Sequence, residues 1–149
     1  MAYLEVGVKE KLYIEQPEDY HDSCDLVGRL QKAMCDLVHA GLLWSKMFSA
    51  ELAARGFEQC QADECVFRRI LHGKVVVIIV AYVDDLLVAS KTKCDEEQAM
   101  KVLRSCFPTK DLGEAGFYLG CHITRDRDAG TLKLDQHRYV RTVASNFSV

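Results

Sequence analysis

The chain has only two prolines in 149 residues, no long apolar run, no basic excess and no Cys-x-x-Cys pair. Two prolines and nine glycines are too few for a collagen-like or low-complexity chain. No Pro/Gly/Ser-rich linker or internal repeat marks a boundary, so residues 1–149 read as one domain. The longest apolar run, Val75 to Val83, is nine residues, against the roughly 20 that a membrane-spanning helix needs. Glu5, Lys9 and Glu10 stand close behind Met1 and leave no room for a signal-peptide apolar core. No membrane partner is expected. Nineteen basic and 22 acidic residues give a net charge of −3. Proteins that live on nucleic acid usually carry a basic excess, so composition counts against binding by this stretch alone. The seven cysteines are odd in number. They fit reduced thiols in a cytoplasmic or nuclear protein better than a secreted disulfide framework.

What is present is an ordinary globular pattern of short strands and amphipathic helices. Leu12 to Ile14 and Leu26 to Leu30 read as short strands. From Asp36, taken as the N-cap, Ala40, Trp44, Phe48 and Leu52 recur at helical spacing, and Arg55-Gly56 ends the helix. Cys65 to Leu71 reads as a strand, His72-Gly73 as a turn, and Lys74 to Val83 as a strand buried on both faces. Leu86 to Ala89 is its partner. Asp95-Glu96-Glu97 opens a second helix with the stripe Ala99, Val102, Leu103, Cys106 and Phe107, closed by Pro108. Phe117 to Ile123 and Thr131 to Leu134 come next as strands around a charged turn, Arg125 to Gly130. Asp135 caps a last helix carrying Tyr139, Val140, Val143 and Phe147. Adjacent strands joined by tight turns, with helices between, predict an α+β fold: an antiparallel sheet backed by helices.

The most informative feature is Tyr82-Val83-Asp84-Asp85, set between two apolar strands. Adjacent carboxylates repel, and partial burial raises that cost unless a cation compensates. Carboxylates together with phosphate oxygens are the ligands Mg²⁺ prefers. Two such ions can serve nucleotidyl transfer. The competing reading is plain turn chemistry, since aspartate favours turns and an exposed tip needs no metal. A small α+β interaction domain would look the same at these four residues.

Several further blocks resemble, in order and spacing, the reverse transcriptase domain of the Ty1/copia class of long-terminal-repeat retrotransposons. Ala2-Tyr3-Leu4 and Leu12 to Glu18 resemble its N-terminal block, and Ala33 to Trp44 its fingers-to-palm block. Gly56-Phe57, Asp63 and Val66-Phe67 resemble the run before its catalytic hairpin, which Val80 to Asp85 resembles in turn. Lys110 to Glu114 with Tyr118-Leu119-Gly120 resembles the approach to its primer grip. Gly130 to Leu132 with Gln136 to Val140 resembles the family's stretch beyond that grip. The likeness covers nearly the whole chain. It implies a ferredoxin-like polymerase palm with part of the fingers. It further implies an RNA template, a DNA primer and deoxynucleotides as partners, with Mg²⁺, or Mn²⁺ in its place, as cofactor. Asp84 and Asp85 would be the catalytic metal ligands, Tyr82 and Val83 would lie under the primer end, and His39 near the incoming nucleotide. Leu119 and Gly120 would grip the primer.

The resemblance also implies a third carboxylate in an Asp-Val-Lys-(Thr/Ser)-Ala stretch ahead of Met1-Ala2, and integrase and RNase H segments elsewhere in the polyprotein. The chain is therefore expected to be a piece of a longer polymerase. Within Ala33 to Trp44 the family's tyrosine, lysine, glutamine, proline and arginine are Cys35, Val38, His39, Gly41 and Leu42 here. The apolar positions are kept and the polar contact groups are lost. Weak or absent polymerisation by this chain alone is the expectation, the alternative being a relic that at most binds RNA or protein. His21-x-x-Cys24 and Cys60/Cys65 do not complete a zinc set.

Overall fold

The computed structural model describes residues 7, 10–16, 26–34, 37 and 39–147. The fold is α+β with antiparallel sheets and three helices, as the pattern predicts. The chain falls into two compact units, Met1–Val102 and Leu103–Val149.

In the first unit, β1 (Tyr13–Ile14) and β2 (Gly28–Arg29) form a small exposed ladder. Helix α1 (Ala40–Ala53) comes next, with His39 in the cap position and no side-chain cap bond. The expected cap, Asp36, lies outside the described residues, and the helix begins later than its spacing suggests. The C-terminal end behaves as predicted. Gly56 takes φ +81°, its amide bonds Ala53 O at 3.0 Å, and the Phe57 amide bonds Leu52 O at 3.1 Å. That is a Schellman motif, with the two apolar residues it pairs, Leu52 and Phe57, both buried.

Strands β3 (Glu58–Gln59), β4 (Val66–Leu71), β5 (Lys74–Tyr82) and β6 (Asp85–Ser90) form a four-stranded antiparallel meander in that order. Phe67 and Arg69 point to one face. Phe67 meets Phe48 of α1 edge-on at 5.4 Å, and Arg69 bonds Gln98 at 3.5 Å. Gln98 belongs to α2 (Lys93–Cys106), so both helices cover the same side. Val77 and Ile79 are buried on it, while Ile78 and Tyr82 on the other side are 39% and 55% exposed. The expectation that this strand is buried on both faces is therefore corrected. An antiparallel sheet with both helices on one side leaves its other face open, however apolar the strand.

Helix α2 starts two residues earlier than its acids suggest. Thr92 Oγ1 accepts the Asp95 amide at 3.2 Å and donates to the Asp95 carboxylate at 2.6 Å, a threonine N-cap braced by the acid three residues on. Ala99 on this helix is fully buried.

In the second unit, the expected strand from Phe117 to Ile123 is broken. Strand β7 (Phe117–Tyr118) turns through Leu119-Gly120 into β8 (Cys121–Asp126), which pairs with β9 (Thr131–Asp135). Helix α3 (His137–Asn146) is last, with Gln136 in the cap position and not Asp135. Asp135 ends β9 and still accepts the His137 amide at 3.3 Å. Cys60, Cys65, Cys94, Cys106 and Cys121 are free thiols. No helix among the described residues is long and apolar enough to cross a membrane.

Candidate active site

The two aspartates sit at the tip of the β5–β6 hairpin, whose base is firmly held. Pairing runs without a slip from Val77↔Ser90 through Ile79↔Val88 to Tyr82↔Asp85. Val77 and Ile79 below the tip are almost completely buried, so packing holds the strand ends in place. The last pair leaves a two-residue connection, Val83-Asp84. The turn thus lies one residue earlier than the sequence suggests. Asp84 is in the turn, whereas Asp85 is the first residue of β6, directly opposite Tyr82.

A two-residue hairpin turn needs positive φ at its first central residue, a place that favours glycine. Here Val83 occupies it with φ +53°, and Asp84 does not share the positive φ, which is the pattern of a type II′ turn. A β-branched side chain in the left-handed region is strained. Val83 is 42% exposed there. Asp84 and Asp85 are both exposed residues.

Among the described residues no three His, Cys, Asp or Glu side chains gather as a metal cluster. The tip offers two hard oxygen donors instead. That donor set fits Mg²⁺, which is commonly held by one or two carboxylates and completes its shell with water and substrate phosphates. It does not fit a zinc site closed by nitrogen and sulfur.

The other expected site residues lie elsewhere in the fold. His39 precedes α1, exposed, with its carbonyl accepting the Leu43 amide at 3.0 Å. In the second unit, Leu119 and Gly120 form the two-residue turn between Tyr118 and Cys121, with φ +48° and +80°. Positive φ at both positions is the type I′ pattern, in which asparagine or glycine is expected first. Leu119 is 46% exposed there. Two exposed turns thus carry a bulky apolar residue where the backbone favours a small one.

The model of one family, reverse transcriptase (RNA-dependent DNA polymerase), matches residues 1–149. The chain belongs to that family. Its relatives are retrotransposon proteins of the Ty1/copia type. It is 29% identical to the retrovirus-related Pol polyprotein from transposon TNT 1-94 of Nicotiana tabacum, over 99% of this chain and 11% of that protein. It is 28% identical to a transposon Ty5-1 protein of Saccharomyces cerevisiae, over 99% of this chain and 48% of that protein. It is 30% identical to the transposon Ty1-DR4 Gag-Pol polyprotein of the same yeast, over 76% of this chain and 7% of that protein. The chain thus spans about a tenth of the tobacco polyprotein and about half of the Ty5-1 protein. No solved structure matches it.

In this reverse transcriptase domain, Tyr82, Val83, Asp84 and Asp85 are brought together by one hairpin. Val38 lies outside the described residues, while Leu42, where the family pattern has arginine, is exposed on α1. The strain at Val83 and Leu119 escaped sequence reasoning. At Val83 a signal was there, two adjoining apolar strands with no glycine or asparagine between them, whereas Leu119 lies inside what reads as one continuous strand.

Proposed function

We propose that this chain supplies the palm and part of the fingers of an RNA-directed DNA polymerase, with Asp84 and Asp85 as its metal-binding carboxylates. The observation that carries the reading is the β5–β6 tip. A regularly paired hairpin, buried on one face through Val77 and Ile79, ends in a strained turn with two adjacent exposed aspartates, in a chain that matches the family model throughout. Local strain retained at an exposed turn points to function.

Asp84 and Asp85 would hold Mg²⁺, with Mn²⁺ able to take its place. The chemistry those ions supply is activation of the primer 3′-hydroxyl and stabilisation of charge on the departing pyrophosphate. Tyr82 and Val83 contact the primer end, Leu119 and Gly120 hold the primer strand, and His39 lies near the incoming deoxynucleotide. The template is RNA, and the remaining polyprotein activities, integrase and RNase H, lie on other segments. A second reading rests on Val38, His39 and Leu42, which stand where the resemblance puts polar contact groups. On that reading the isolated chain polymerises weakly or not at all.

Mn²⁺ titration followed by amide NMR tests the metal site. Paramagnetic broadening centred on residues 82–87, lost in the Asp84→Asn/Asp85→Asn double variant, is the expected result. Broadening spread over other acids, unchanged in that variant, overturns the assignment. Primer extension on an RNA template separates the two readings: robust Mg²⁺-dependent synthesis that Asp84→Asn abolishes rules out the weak-enzyme reading.

A further inference from the structure

We draw no further inference here: the strongest candidate, the exposed apolar surface of α3 formed by Tyr139, Val140, Val143 and Phe147, carries nothing, because no observation among the described residues shows what covers it.

Discussion

Replacing Val83 with glycine should relieve a backbone strain that Val83→Ala keeps, while loosening the candidate site. At φ +53° an L-residue costs roughly 1–2 kcal/mol relative to glycine, and β-branching puts valine toward the upper end. Against this, glycine adds unfolded-state freedom worth about 0.5–1 kcal/mol. Val83 is 42% exposed, so glycine and alanine alike give up the partial burial of its methyl groups, about 1–2 kcal/mol. Relative to Val83→Ala, which loses nearly the same burial, the balance favours Val83→Gly by about 0.5–1 kcal/mol, a difference in Tm of roughly 1–4 °C for a chain of this size. Paired denaturant and thermal melts followed by circular dichroism measure it, with Val83→Ala as the comparison. Alanine keeps a Cβ and therefore most of the strain, so it should be the less stable of the two variants. If Val83→Gly proves no more stable than Val83→Ala, the strain argument is refuted. The same glycine should weaken Mn²⁺ broadening at residues 82–87, because a freer turn no longer fixes the direction of the Asp84 carboxylate.

Three further outcomes are expected. Leu119→Asn suits the left-handed turn position and should stabilise the β7–β8 hairpin by roughly 0.5–1 kcal/mol. Slower hydrogen exchange of the Ile123 amide, which bonds Gly116 O at 2.9 Å, reports it. Leu52 is fully buried and belongs to the Schellman pairing with Phe57, so Leu52→Ala should cost about 2–5 kcal/mol in a denaturant melt. Thr92→Ala removes the N-cap bond of α2 and should cost about 0.5–2 kcal/mol in the same assay. An unchanged melt would show the cap to be unimportant.

Much of the fold was legible because its signals are local. The Gly56 stop of α1 needs only a residue that accepts positive φ after an apolar helical stripe, and the structure places it there. His72-Gly73, between Leu71 and Lys74, likewise forms the expected two-residue turn, with φ +50° and +71°. The Thr92–Asp95 cap was equally local but was outweighed by the three consecutive acids after Cys94, which drew the helix start two residues too late.

By itself the sequence determined the α+β class, the long apolar strand β5, the principal helices and the pair of aspartates beside that strand. These depend on periodicity and composition within a few residues. Only the tertiary structure decided that β5 is covered on one face, since that depends on α1 and α2 choosing the same side. It alone assigned Asp84 to the turn and Asp85 to a strand, because cross-strand register and not side-chain preference decides which two residues close the hairpin. The same pairing forces Val83 and Leu119 into a conformation that neither would choose. That conflict between local preference and the ladder on either side cannot be read one residue at a time.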